Sequence, residues 1–247
     1  MIPLYDDNPR DSVPIVTIGL IAVNILVYLW QVSVGSGVFY AYTMIPSWVT
    51  QHVPGQMVSQ VTDGIRVFTV AKDIPTALSP AWLTIFTSMF MHGGFMHIAG
   101  NMLYLWVFGD NIEVALGKVK YLMFYLLVGA AATVAHIASN PSSQIPTLGA
   151  SGAIAGVMGG YILLYPTTNV KCLVPWGFFS TLMDVPAWIV LGIWFGYQIL
   201  LNMWGGGGHT GGGVAYMAHI GGFIAGAVLI KLFGGRRRES PRYGYRD

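Results

Sequence analysis

Apolar runs of about 20 residues, nearly free of charge, recur along this chain and limit what it can fold into. A run of that length crosses a ~30 Å hydrocarbon layer as a helix. Of the 247 residues, 54% are hydrophobic and only 9% charged, against roughly a quarter charged in an average soluble domain. Backbone inside lipid must satisfy its own polar groups, so the expected fold class is an all-α membrane protein built as one compact bundle. Six spans can be drawn, at about residues 14–32, 97–116, 121–139, 150–165, 185–203 and 214–233.

The segments between the spans are legible only in outline. Residues 1–13 are polar and read as a loose segment outside the bilayer. A cleaved signal peptide competes for the first span, because Ser33, Gly35 and Ser36 follow it; the run is long for a signal, however, and the residues before it are acidic. Residues 33–81 are broken by Pro46, Pro54, Pro75 and Pro80, are too interrupted to span, and should lie on one membrane face. The stretch 82–96 reads as interfacial or partly inserted. Residues 117–120 read as a tight basic turn, 140–148 as a loop and 205–213 as a flexible glycine-rich loop. Residues 167–184 should return along the surface, with Lys171, Trp176, Phe178 and Phe179 suited to an interface. Asp184 ahead of Val185 and Pro186 is a reasonable helix start.

Six spans put both termini on one side. Arg236, Arg237, Arg238, Arg242 and Arg246 crowd the tail, residues 234–247, and Arg10, Lys118, Lys120 and Lys171 fall on the same face. The other face holds Arg66 and Lys72, so both termini are expected to be cytoplasmic. A net charge of +2, clustered in this way, orients the protein in a membrane and leaves no footprint for nucleic acid. The single cysteine, Cys172, excludes an internal disulfide and a cysteine-based zinc site. No H-E-x-x-H occurs, and Asp110 has no matching aspartate in an apolar span. No metal or cofactor is expected.

In this topology the fourth span starts at the outer face with Ser151 one or two residues in. The sixth starts there too, with His219 about five residues in, roughly 8 Å at 1.5 Å per residue. Glycine suggests that the two helices touch: Gly152, Gly156 and Gly160 form one small-xxx-small stripe, and Gly222 with Gly226 another. A membrane serine often bonds only its own helix, and a glycine stripe often only packs. Depth and packing together favour contact. In the second span, His97 and Asn101 lie one turn apart on the same face, near the outer end. Polar groups at such positions turn toward the bundle interior or a wet cavity. A serine with a neutral histidine in reach is an activated nucleophile. Donors on Asn101, His97 and the Ser151 backbone could hold a tetrahedral oxyanion.

These residues carry a resemblance to the rhomboid intramembrane serine proteases. The matching pieces are H-G-G-F-M-H-I-A-G-N, which contains His92, His97 and Asn101; Glu113 after F-G-D-N-I; G-A-S-G at 149–152; and A-H-I-G-G-F-I-A-G at 218–226. They span most of a core at about residues 14–233, which the resemblance implies is a six-transmembrane-helix bundle. It implies Ser151 as nucleophile, His219 as general base and then acid without a third carboxylate, and His97 and Asn101 as oxyanion donors. Gly149 would permit the loop geometry before the serine. Among the remaining residues of the matching pieces, His92 would support the outer loop, Glu113 would be structural, and Gly222 and Gly226 would pack the helices.

The implied reaction is hydrolysis of a peptide bond in or near a transmembrane helix of a membrane-protein substrate, close to the extracytoplasmic face. Such substrate segments and the lipid bilayer are the expected partners, and nucleic acid is not. The expected residence is a prokaryotic plasma membrane, crossed several times; the oligomeric state is not set. The loop 205–213 could cap the site and the fifth span could act as a side gate. The chain departs from the family pattern in two places. Leu83 and Thr84 replace a frequent Trp-Arg pair, leaving open what anchors the first loop. Ala155 replaces a frequent aromatic residue, leaving open what orients the His219 ring. A catalytically silent relative that only binds membrane helices is the rival reading. A small-solute transporter is a third, expected to show internal repeats, and none is visible.

Overall fold

The most enclosed element is a short helix, α6 (Ser151–Leu164), in which every residue from Gly152 to Tyr161 is buried. At 14 residues it is roughly 21 Å long, against roughly 33 Å for its 22-residue neighbour α5 (Lys118–Ser139). A helix walled by protein on all sides need not match the thickness of lipid. It packs most closely on α8 (Tyr216–Leu232), then on α5 and on α4 (Phe95–Leu116). The α6–α8 seam is glycine. A Cβ on Gly226 would stand 1.8 Å from the Gly156 carbonyl oxygen, and one on Gly159 would stand 2.0 Å from the Phe223 carbonyl oxygen. Gly160, expected in this stripe, has its nearest neighbours, all Ile230 side-chain atoms, at an ordinary 3.4 Å. The tight contact has moved one residue back, to Gly159.

This computed structural model describes residues 1–9, 12–35, 40–53, 56–62, 67–73, 80–176, 179–204 and 214–237. The remaining α-helices among them are α1 (Ile15–Val34), α2 (Pro46–Gln51), α3 (Thr84–Thr87) and α7 (Ala187–Met203), with single 3-10 turns at Tyr40–Tyr42, Ala81–Leu83 and Ser88–Phe90. Two helices, α1 and α5, are long and apolar enough to cross a membrane by length and composition, with mean hydropathies of 2.1 and 1.8. The all-α expectation needs amending, since the described residues include five strands, one ahead of the first helix and four in the segments between helices. Strands β1 (Ile2–Asp6), β4 (Asn169–Trp176) and β5 (Phe179–Pro186) form an antiparallel sheet in the order β1-β4-β5, and β2 (Gln56–Thr62) pairs with β3 (Val67–Asp73). Backbone that leaves a helix still needs partners, and pairing two such segments supplies them.

Helix α1 is held near its two ends by polar side chains, Thr17 on Glu113 and Gln31 on the His92 backbone, while Asn24 bonds its own Leu20 carbonyl. Its buried residues are Thr17, Leu20, Asn24 and Gln31, so three polar side chains recur every seven residues along one face. Lipid is as apolar as leucine, so hydrogen bonds hold a membrane helix where oily contact would not. Glu113, buried near the end of α4, accepts from Val16 N–H at 3.0 Å, Thr17 N–H at 2.8 Å and the Thr17 hydroxyl at 2.8 Å. It thereby serves the free N–H groups at the start of α1, where no side chain of α1 caps them.

Three expectations are corrected at this end of the bundle, its base. Residues 1–9 are not loose: Ile2 pairs with Leu173 and Asp6 with Val170, while the Asp6 carboxylate accepts from Tyr161 OH, from Asn111 Nδ2 at 2.9 Å and from Asn8 Nδ2 at 3.0 Å. The polar composition of this segment reflects satisfaction by protein as much as by water. Asp184 does not start a helix; it lies in β5 opposite Lys171 of β4 and pairs with its ammonium group, and α7 begins at Ala187. The basic turn shrinks to Gly117, whose φ of +78° joins α4 directly to α5, leaving Lys118 and Lys120 helical. The expectations for Arg10, Arg66, Phe178, the loop 205–213 and the tail from Arg238 onward lie outside the described residues.

Candidate active site

At the opposite end, the mouth, Ser151 is the first residue of α6, and its Oγ lies 2.7 Å from Nε2 of His219 on α8. The glycine seam makes this possible, since two helices with ordinary side chains there could not approach so closely. Ser151 is half-buried, and only 8% of His219 is exposed. The other imidazole nitrogen, Nδ1, lies 2.8 Å from Oε1 of Gln198 on α7, and the Trp194 ring, one turn earlier on α7, has its centroid 5.7 Å from the His219 ring. What orients the histidine in the absence of an aromatic at Ala155 is therefore supplied by another helix. Sequence reasoning passed over Gln198, although an amide in an apolar span is itself a signal.

The loop before Ser151 is fixed by Gly149. Its φ of +125° is a conformation that other residues rarely adopt, and a Cβ there would stand 2.9 Å from Cε1 and Nε2 of His97. That edge of His97 thus lies against the serine loop. The Gly93 N–H donates to His97 Nδ1 at 3.3 Å, which requires a lone pair on Nδ1. A neutral His97 therefore carries its proton on Nε2, the atom turned toward Gly149. Asn101, one turn on, is buried at 8% exposure, and its Nδ2 has no hydrogen-bond partner among the described residues. The Ser151 N–H, at a helix start, has no acceptor within the helix. Three donors are thus available at the mouth.

With Leu83 and Thr84 in place of a Trp-Arg pair, the first loop is anchored by other contacts. Gln31 of α1 makes a reciprocal pair with the His92 backbone: its Nε2 donates to the His92 carbonyl at 2.9 Å, and its Oε1 accepts from the His92 N–H at 2.9 Å. Thr87 donates to the Tyr42 carbonyl at 2.7 Å, and Gly149 N–H to the Ser88 carbonyl at 2.9 Å. His136 Nε2 lies 3.0 Å from the Thr147 hydroxyl, tying α5 to the stretch before the serine. A small cavity beside Ser151 is lined by Ser88, Met89, Thr133, Thr147 and Ala218 among others. Gly222 packs toward Gly152, where a Cβ would stand 2.2 Å from the Gly152 carbonyl oxygen. No cluster of metal-ligating side chains occurs among the described residues.

A mostly helical bundle with membrane-length apolar helices, and with a serine and an imidazole in hydrogen-bond contact at the head of its most buried helix, defines a class: helical membrane proteins carrying a serine–histidine pair. Comparison with known proteins narrows it. The Rhomboid domain model matches residues 79–236, more than half of the chain, and the chain belongs to the rhomboid family of integral membrane proteins. It is 31% identical over 160 residues to the Rhomboid protease GluP of Bacillus subtilis (strain 168), a match covering 64% of this chain and 28% of that protein. It is 28% identical over 153 residues to Rhomboid protein 1, mitochondrial, of Saccharomyces cerevisiae, covering 59% and 40%. With Rhomboid-like protein 11, chloroplastic, of Arabidopsis thaliana the identity is 26% over 155 residues, covering 62% and 53%. The matched stretch thus spans between about a quarter and about half of these relatives. Their names point to a bacterium, a mitochondrion and a chloroplast, so they give no support to the expectation of a prokaryotic plasma membrane in particular.

Proposed function

We propose that the protein is an intramembrane serine protease that cuts a peptide bond in or near the transmembrane helix of a membrane-protein substrate, at the mouth end of the bundle. The observation that carries this reading is the 2.7 Å contact between Ser151 Oγ and His219 Nε2. As Oγ attacks the scissile carbonyl carbon, its proton passes to Nε2. The developing oxyanion is held by His97 Nε2–H, Asn101 Nδ2–H and the Ser151 backbone N–H. Collapse breaks the C–N bond, with the Nε2 proton going to the leaving amine. Water, deprotonated in turn by His219, then attacks the acyl ester, releases the carboxylic acid and restores the serine hydroxyl.

A peptide bond inside an intact membrane helix is hydrogen-bonded and dry. Ser151 heads a helix roughly 12 Å shorter than α5, whose other end is pinned at the base by Tyr161. The nucleophile is therefore recessed below the mouth, where water can collect and an unwound segment can enter. We place the mouth on the extracytoplasmic side with both termini cytoplasmic, and we assign α7 as the side gate. Crosslinking α7 to α4 should then abolish cleavage. Undiminished activity in the crosslinked protein would remove the gate.

The rival reading, a silent relative that binds helices without cutting them, predicts the same fold. A transporter is disfavoured by the direct serine–imidazole contact, which solute passage does not require. The deciding experiment is incubation of the reconstituted protein with a panel of single-span proteins, with the products mapped by mass. Cleavage near one end of the substrate helix, absent in Ser151→Ala, supports the protease. Binding without cleavage across the panel would support the rival.

A further inference from the structure

We propose that Gln198 is a positioning residue that selects the tautomer of His219, so that the base is in working form only while α7 is seated against α8. This rests on the serine–histidine reading above.

A neutral imidazole has one N–H and one lone pair, and only one arrangement serves the serine: the lone pair on Nε2, facing Oγ–H. An amide oxygen can only accept. With Oε1 of Gln198 2.8 Å from Nδ1, the proton belongs on Nδ1, donating to Oε1, and the Nε2 lone pair points at Ser151. In the opposite tautomer, lone pairs of Nδ1 and Oε1 would face each other, and Nε2–H would donate to the serine, which would then have no base. The amide does this without a buried charge. A carboxylate at the same place would have to be desolvated beside a neutral ring, at a cost that only ion-pair formation recovers.

The placement of Gln198 argues against an incidental contact. The buried residues of α7 are Ala187, Val190, Leu191 and Gln198, and around the last of these Tyr197, Ile199 and Leu200 are exposed. On the mouth half of the helix, the single side chain turned fully inward is thus an amide, aimed at the histidine. Trp194 lies on the same face, four residues earlier, against the same ring. Apart from Ser151 itself, the two contacts described on the imidazole, at Nδ1 and on the ring face, come from α7. A hydrogen bond of 2.8 Å is lost when its partners separate by an ångström or so, so an outward shift of α7 releases the ring.

The test uses full-length protein in detergent or liposomes, with Gln198→Met, which keeps the length and removes the acceptor, and Gln198→Glu, which presents an oxygen whichever way the group turns. For Gln198→Met we expect kcat to fall by about tenfold to a hundredfold with KM nearly unchanged. Nitrogen NMR of labelled histidine should show His219 shifting from the Nδ1–H form to a mixture. For Gln198→Glu we expect kcat within about tenfold of wild type, with the acid limb of kcat/KM moved to higher pH, since a negative charge beside Nδ1 favours the imidazolium. His97 and His136, the other titratable groups close enough to act on His219, are unchanged in both variants. Wild-type kcat and an unmoved pH profile in both variants, or an Nε2–H tautomer in the wild type, would overturn the inference. Full activity in Ser151→Ala would instead overturn the hydrolytic reading beneath it, and the two failures are told apart by that one control.

Discussion

Gly226 and Gly156 approach so closely that a methyl group on Gly226 would stand 1.8 Å from the Gly156 carbonyl oxygen. That approach brings α8 against α6 and so brings His219 to Ser151. Gly226→Ala must push the helices apart, with an expected cost of about 1–3 kcal/mol or more. Thermal unfolding in detergent should show the loss. Gly192→Ala and Gly196→Ala, where a Cβ meets nothing within 4 Å, should leave the melting temperature unchanged or raise it.

Gly149→Ala forces a side chain into a φ of +125° and against His97 at 2.9 Å. Strain of about 1–3 kcal/mol at the serine loop should appear chiefly as lost cleavage rate, because the loop can relax away from His97 while the helices stay packed. The check is a kcat reduced by about tenfold or more in a protein whose unfolding transition is close to wild type.

Asn101→Ala removes an amide whose Nδ2 meets no partner within the described protein. If that amide is reserved for the oxyanion, kcat should fall by roughly 100- to 1000-fold while KM changes little. Steady-state kinetics on a cleaved substrate measure both. A change confined to KM would place Asn101 in ground-state binding.

Asp6→Ala leaves Tyr161 OH, Asn111 Nδ2 and Asn8 Nδ2 without their shared acceptor at the base. Asn111 Nδ2 keeps Asp110 Oδ1 and Asn8 Nδ2 keeps Tyr161 OH, so the buried Tyr161 hydroxyl is the group that loses its acceptor, at about 1–3 kcal/mol, and the variant should melt lower. Its cleavage rate per folded molecule should be unchanged, because the site is at the other end of α6.

His92 lies in the loop ahead of α4, where burial first and nearby His97 second push its pKa down to about 4. Unfolded, it titrates near 6.5, so between those values the unfolded chain binds a proton that the folded chain refuses. Stability is therefore complete above about 6.5 and falls as the pH drops toward about 4, by at most about 1.4 kcal/mol per unit from this group. Denaturant titrations across that window should show the decline, and His92→Gln should lessen it.

The long helices were legible because apolar runs bounded by prolines and glycines mark their own ends: α4 runs Phe95–Leu116 and α7 Ala187–Met203, within about two residues of the drawn spans. Ser151, His219, His97 and Asn101 could be picked out as candidates because each is a polar residue in or at the end of an apolar run. The strands were not. Their pairing joins Ile2 to Leu173 across the chain, and neither segment alone alternates strongly enough to announce it. Asp184 shows the same limit, since its partner Lys171 is fixed by the register of β4 on β5, and a local helix-start signal loses to that pairing. Gln198 and Gln31 were missed for another reason: which face an amide in an apolar helix turns inward depends on how the helix is rotated in the bundle, and spacing within one helix does not set that rotation.

The proposed protease requires Ser151 to be a nucleophile made reactive by His219. Labelling with a fluorophosphonate, followed by peptide mass mapping, tests it without any need to know the substrate. An adduct is expected on Ser151 in the wild-type protein, absent in Ser151→Ala and reduced to background in His219→Ala. Wild-type protein that stays unlabelled at Ser151, or His219→Ala protein labelled at the wild-type rate, would contradict it.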